Sequence, residues 1–339
     1  MGGDRIVTVA PTGLLAFVAG WDLERGSVDC IEPLDVGRHL GVLRQHRLVG
    51  LAQAAADAGA IEVDDHCALT EAHVTAMTET LLLEDLMLAA VDALAEAGID
   101  VLTLKGSALS HLLAPDPSER TFSRIDLLVP GEALLAAASA LRPLGAIRTR
   151  AGVSAAFERR FAQSVSLRWQ TAAELDVHRT LASGPYGLTI DSADLFGYPT
   201  TFDLGGRAVP TLSLEMHALH AAIHVALGDT EPRLGDVRDL ALLLRHDLDL
   251  DLIMRTVEGW RCAHPLAVGL RAAAAIGAAD HALLDWAEAH RASGRDRALL
   301  ASYRKTGAHV YTQAWASLRV LGWRDRVAYV RSLTPGRRD

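Results

Sequence analysis

From Val36 to Ala97 apolar residues recur at helical spacing, for example Leu83, Leu86, Ala90 and Leu94, with the acids Glu84, Asp85, Asp92 and Glu96 between them. Residues three and four apart share a helix face, so the pattern predicts a helical N-terminal section. Gly98 follows the last periodic residue, where a helix commonly ends in a left-handed turn. The period changes there. Ile99–Leu104 reads as a short strand, Ile125–Val129 as a second and Gly131–Leu141 as a helix, with further strands at Ala146–Arg150, Val165–Trp169 and Ala173–His178. Helices between strands imply a sheet with helical cover. Gly205-Gly206 separates two short β-like segments within Thr200–Pro210, which predicts a hairpin with Pro210 at its end. From Ser213 onward the pattern is helical again: Leu214–Leu227, Gly235–Arg245, Leu252–Arg261, Leu266–Ala279, then further helices to Val330. The working division is a helical segment 1–97, a mixed core 98–210 and a helical segment 211–339.

Composition narrows the function classes. The chain has 339 residues, 50% hydrophobic and 22% charged, which excludes disorder as the dominant state. A formal charge of −9 argues against a broad basic face, so no nucleic-acid partner is expected. Cys30, Cys67 and Cys262 lie far apart without CxxC spacing, which leaves neither a zinc knuckle nor a disulfide framework and fits a reducing cytoplasm. The apolar stretch Leu14–Ala19 is too short to span a bilayer and lacks a signal-peptide n-region, so a soluble cytoplasmic protein without a membrane partner is expected. Of 33 basic residues only Lys105 and Lys305 are lysines, which makes Lys105 conspicuous.

Lys105 opens the segment with the most chemistry. Leu102-Thr103-Leu104-Lys105-Gly106-Ser107 runs from a strand into a Gly-Ser turn and a helix, and Arg124-Ile125-Asp126 then places charged residues at alternate positions of the next strand. Gly106 permits close backbone approach to a ligand, and free N–H groups at the start of the following helix favour phosphate. Lys105 is a candidate point charge for phosphate, against a surface lysine at a strand end. Arg120 is open between a phosphate contact and a loop ion pair with Glu119 or Asp116.

The combination resembles the nucleotidyltransferase superfamily, and within it the uncharacterised nucleotidyltransferase group that reads LKG, then R…SDIDLLV, then a strand with D-x-H. Leu104-Lys105-Gly106, Arg120, Ser123, Ile125-Asp126-Leu127-Leu128-Val129, Glu174-Leu175-Asp176-Val177-His178, His217 through His224, Arg233-Leu234 and Asp239-Leu240 follow it in order and approximate spacing, over about residues 80 to 245. The resemblance implies an α+β fold: a nucleotidyltransferase-like mixed sheet flanked by helical segments, with the nucleotide cleft between core and C-terminal helices. It implies a nucleoside triphosphate substrate and nucleotide contacts from Lys105, Gly106 and Ser107. In such chemistry two Mg²⁺ ions neutralise the attacking and leaving oxygens, and a D-x-D pair on one strand face with a third acid from a neighbouring strand holds them. Asp126 matches the second acid of the pair. Asp176 is the candidate third, with Glu174 and His178 on its face as a further metal ligand and an orienting residue.

The first acid of the pair is Arg124, a permanent cation that cannot ligate a metal. Three arrangements are open. Arg124 pairs with Asp126 or Asp176 in place of the missing ion, or a single ion binds Asp126, Asp176 and Glu174, or Arg124 neutralises phosphate directly. His217, His220 and His224 share one helix face, a spacing that suits either a metal or, with more weight, a packed or nucleotide-facing helix. Arg233 stands before a helix as a phosphate or salt-bridge candidate. Asp236 and Asp239, at i and i+3, read as a solvated or capping pair, and Asp247-Leu248-Asp249-Leu250-Asp251 lacks the pattern of a calcium loop. No G-x-S-x-G, P-loop or G-x-G-x-x-G occurs. Three functions compete: Mg²⁺-dependent transfer of a nucleoside monophosphate to a small-molecule, peptide or protein acceptor; a noncatalytic nucleotide- or peptide-binding partner in a biosynthetic pathway; and a scaffold working through its C-terminal helices.

Overall fold

The computed structural model describes residues 13–26, 32–149, 154–169, 173–228, 232–303 and 309–333. Cys30, Lys305 and the end of the expected strand at Arg150 lie outside them. Among the described residues seven strands form one mixed sheet: β1 (Leu102–Leu104), β2 (Arg124–Leu128), β3 (Ile147–Arg148), β4 (Ser164–Arg168), β5 (Glu174–His178), β6 (Thr200–Leu204) and β7 (Arg207–Thr211), in the order β3-β4-β5-β2-β1-β7-β6. With helices on both sides, this is an α+β architecture.

The centre of the sheet decides where chemistry can sit. β2 runs parallel to β5 in a register that sets Asp126 opposite Asp176 and Leu128 opposite His178. β1 pairs antiparallel to β2 with Leu104 opposite Asp126, which delivers Lys105 just past the acid. Side chains alternate along a strand, so Asp126, Asp176 and His178 share one face while Ile125, Leu127, Leu175 and Val177 fill the other. That apolar face packs on Leu83, Met87, Ala90, Val91 and Leu94 of the His66–Glu96 helix and on Leu134, Ala137 and Leu141.

The opposite face is covered by helices from both ends of the chain. Buried side chains from Leu14 to Ala72 and from Leu212 to Tyr303 belong to one continuous apolar cluster. The Leu14–Gly20 helix therefore packs as core, with Phe17, Val18 and Ala19 buried. The Leu214–Leu227 helix crosses the sheet and leans on the Ala263–Ala275 helix, where a Cβ on Gly269 would lie 2.6 Å from the Ala222 backbone. Only a residue without a side chain allows that approach. The hairpin turns on Gly205 and Gly206, with φ of 62° and 84°. Such angles favour glycine.

Candidate functional site

The site lies between the polar face of β2 and β5 and the Leu214–Leu227 helix. Lys105 ends the β1 turn with φ 47° and ψ −140°, directly before the Gly106–Leu113 helix, and no side chain caps that helix start. Gly106 continues the turn at φ +33°, and a Cβ there would press to 3.3 Å from the Phe122 ring. Lys105, only 9% exposed, thus turns inward at the residue before a helix whose first N–H groups its side chain does not cap.

Asp126 is the most constrained acid. Its Oδ1 accepts from His178 Nε2 at 2.8 Å and lies 3.3 Å from Arg124 Nε. Burial alone would raise the Asp126 carboxyl, but the His178 hydrogen bond and the charges of Lys105 and Arg124 overcome it and hold the group well below the usual carboxylate range. Arg124 also reaches Asp176, with Nη1 at 3.2 Å from Oδ2, while the Ser166 hydroxyl donates to Asp176 Oδ1. The guanidinium therefore bridges the two carboxylates, the first of the three arrangements open from sequence. Burial disfavours its charge, yet Asp126 and Asp176 more than compensate and raise its pKa.

One oxygen or ring nitrogen each from Asp126, Asp176 and His178 lies within 4.8 Å of the others, the one such group among the described residues. Glu174 is not in it; its position on β5 is exposed. The donor chemistry does not fit a two-Mg²⁺ cage. The strand that would supply the first acid supplies a cation, Asp126 Oδ1 already serves His178 and Arg124, and an imidazole is a poor ligand for a hard ion.

Several residues singled out from sequence have partners here that sequence did not supply. Arg120 does not stand open to phosphate: it is 8% exposed and grips Asp239 through Nε–Oδ1 at 2.8 Å and Nη2–Oδ2 at 2.6 Å. This is a two-pronged charged pair linking the loop before β2 to the Leu234–Leu243 helix. The Ser107 hydroxyl turns away from the cleft and donates at 2.7 Å to Glu84, which also meets His111 Nε2 at 2.8 Å. Glu84 is only 6% exposed. Asp236 and Asp239, expected as solvated or capping acids, are 7% and 4% exposed. Arg233 immediately precedes their helix, and its side chain does not cap it.

The histidine row faces inward. The Thr211 hydroxyl donates its proton to the Thr103 carbonyl at 2.6 Å, so the 2.8 Å contact with His217 requires the ring's Nε2–H to donate to it. Burial pushes the His217 pKa down to about 3, in keeping with a neutral ring. His220 is 1% exposed, and both its ring nitrogens lack a hydrogen-bond partner. Burial, then the Lys105 charge, hold it well below the usual imidazole value. His224 Nδ1 sits 3.3 Å from Lys105 Nζ, and its Nε2 lies 3.3 Å from Asp236 Oδ2. Sequence spacing brought the three histidines to one face but carried no sign that Asp236 would join them, because that partner lies on another helix. Elsewhere, a cavity of about 1070 Å³ among Tyr186, Arg261, Arg295, Trp315 and Arg319 contains none of these residues.

A mixed sheet that gathers a Lys-Gly turn and carboxylates from adjacent parallel strands under a helix defines a nucleotidyltransferase-like protein. The chain belongs to the family of uncharacterised nucleotidyltransferases, which it matches over residues 32–277. None of the curated proteins matches its sequence. Among solved structures it is similar to the lincomycin-bound lincosamide antibiotic adenylyltransferase LnuA, at 14% identity and a TM-score of 0.34 over 47% of this chain and 97% of that one. It is also similar to the antibiotic-resistance factor ANT(2'')-Ia, at 18% identity and a TM-score of 0.34 over 55% and 91% of the two chains. A third likeness is to an antigenic nucleotidyltransferase-like protein from Paracoccidioides brasiliensis, at 17% identity and a TM-score of 0.33 over 60% and 94%. No helix among the described residues is long and apolar enough to cross a membrane.

Proposed function

We propose that the protein binds a nucleoside triphosphate without Mg²⁺, its phosphates against Lys105 and the start of the Gly106–Leu113 helix, and that it has left the two-ion transfer chemistry of its fold. One observation carries this reading: the Arg124 guanidinium stands between Asp126 and Asp176, where a divalent ion would otherwise compensate them. One guanidinium thereby meets both acids and offsets one of their two charges. Lys105, by contrast, makes no contact ion pair with a carboxylate among the described residues, although Asp126 and Asp236 lie near enough to favour its charge; its hydrogen bond goes to His224, whose pKa the Lys105 charge and burial lower. A buried ammonium in that condition attracts an anion, and the adjoining uncapped helix start offers N–H groups to the same anion. Burial lowers the Lys105 pKa, and Asp126 and Asp236 offset part of that loss.

Calorimetric titration with nonhydrolysable ATP and GTP analogues, in Mg²⁺ and then in EDTA, tests it. Binding indifferent to chelator supports the reading. The convergence of Asp126, Asp176 and His178 gives the rival outcome a definite form. Binding that requires Mg²⁺ would mean that Arg124, whose side chain is 35% exposed, swings out and one ion enters, and a search for the acceptor would follow.

A further inference from the structure

The Lys105 ammonium is held by a chain of groups that the strand motifs do not contain. Asp236 is fixed from one side by Arg47, with Nη1–Oδ1 at 3.4 Å, and by Arg120, with Nη2–Oδ1 at 3.9 Å. Its other oxygen, Oδ2, faces His224 Nε2 at 3.3 Å. Burial would raise the Asp236 carboxyl, but the His224 hydrogen bond and the two arginines keep it ionised well below the usual range. A carboxylate only accepts, so His224 must carry its proton on Nε2. The other nitrogen, Nδ1, then presents a lone pair to Lys105 Nζ at 3.3 Å. Each group dictates the state of the next.

We propose that His224 and Asp236 are positioning residues for Lys105, fixing the ammonium for a phosphate group without placing a carboxylate in contact with it. This deepens the nucleotide-binding reading above and rests on Lys105 meeting phosphate. The advantage over a direct carboxylate partner is one of distance. Coulomb attraction falls inversely with separation, so placing the Asp236 charge on the far side of an imidazole cuts its hold on Lys105 to roughly half or less of a contact pair. The neutral ring supplies directional restraint at little cost in charge. An ammonium has three N–H donors, and His224 Nδ1 is the one acceptor within hydrogen-bond distance among the described residues. The remaining two, in a side chain 9% exposed, are available to phosphate oxygens.

The test joins one spectroscopic and one binding measurement on the full chain. In the unaltered protein, ¹⁵N-resolved NMR of the His224 ring should show protonated Nε2 and bare Nδ1; protonation on Nδ1 would overturn the proposal without any variant being made. For binding, a β,γ-imido ATP analogue is titrated by calorimetry against Lys105→Met, His224→Leu and His224→Gln. Loss of a hydrogen bond to a charged group predicts about tenfold or greater weakening in His224→Leu. Glutamine can accept through its oxygen and donate through its nitrogen, so His224→Gln should recover most of that loss. If Lys105→Met leaves affinity unchanged, the phosphate reading of Lys105 is wrong. If Lys105→Met abolishes binding while His224→Leu binds like the unaltered protein, the positioning role alone is wrong.

Discussion

Replacing Arg124 by aspartate restores the acid that two-ion sites place there and removes the bridge at once. Arg124 Nε and Nη1 lie 3.3 and 3.2 Å from Asp126 and Asp176. At an effective dielectric of about 20, each contact corresponds to about 5 kcal/mol of Coulomb attraction before desolvation. About a third of the arginine side chain faces water, so screening and the cost of desolvation bring the net loss on removing it to about 1–3 kcal/mol. A third carboxylate beside Asp126 adds repulsion. In EDTA, Arg124→Asp should therefore unfold at a temperature roughly 5 °C below the unaltered protein. Mg²⁺ at about a hundred times its dissociation constant returns about 2.7 kcal/mol, enough to erase most of the deficit. The unaltered protein should barely respond to Mg²⁺. Differential scanning calorimetry of both proteins, with metal and with chelator, reads all four states. Equal stabilisation of both proteins by Mg²⁺, or an Arg124→Asp variant as stable as its parent in EDTA, would refute the reasoning that the guanidinium does the work of the ion.

Three other perturbations probe the frame around the site. Arg120→Met leaves Asp239, 4% exposed, as an uncompensated buried charge and should cost about 3–5 kcal/mol in urea denaturation; a loss under about 1 kcal/mol would show that the pair is dispensable. His217 has its pKa lowered by burial to about 3, so between about pH 6.5 and 3 the unfolded chain takes up a proton that the folded one refuses, and stability falls as pH falls. His217→Gln should flatten that acid slope by up to about 1.4 kcal/mol per pH unit, measured from urea midpoints at several pH values; an unchanged slope counts against a neutral buried ring. Gly269→Ala forces a methyl against the Ala222 backbone, 2.6 Å away, and should destabilise by about 1–3 kcal/mol, whereas unchanged stability would mean the two helices separate freely.

What the sequence made legible was local. Gly205-Gly206 marked its hairpin because consecutive positive φ values favour glycine, and Leu214–Leu227 was readable to its ends because Ser213 caps it and Gly228 follows it. Alternation along Arg124–Leu128 and Glu174–His178 placed Asp126, Asp176 and His178 on like faces. The pairings that define the site were invisible for a plain reason: Lys105 and His224 are 119 positions apart, as are Arg120 and Asp239, and periodicity carries nothing over that span. Glu84 shows the same limit. It sits in a helix rich in outward acids, and only the arrival of Ser107 and His111 turns it into buried chemistry.

The apolar cluster shared by the two ends of the chain sets a timetable for synthesis. Phe17, Val18, Leu43 and Leu51 emerge early, yet much of what covers them, from Leu212 to Tyr303, is made only after about 150 further residues. At about 5–20 residues per second the wait is roughly 8–30 s, far longer than helix formation or collapse takes. The helices that carry these residues therefore wait with apolar faces uncovered, except by transient docking, until residues 212–303 arrive. A truncation that stops after β7 would carry the intact sheet and still aggregate, since much of what covers Phe17, Val18, Leu43 and Leu51 lies beyond it.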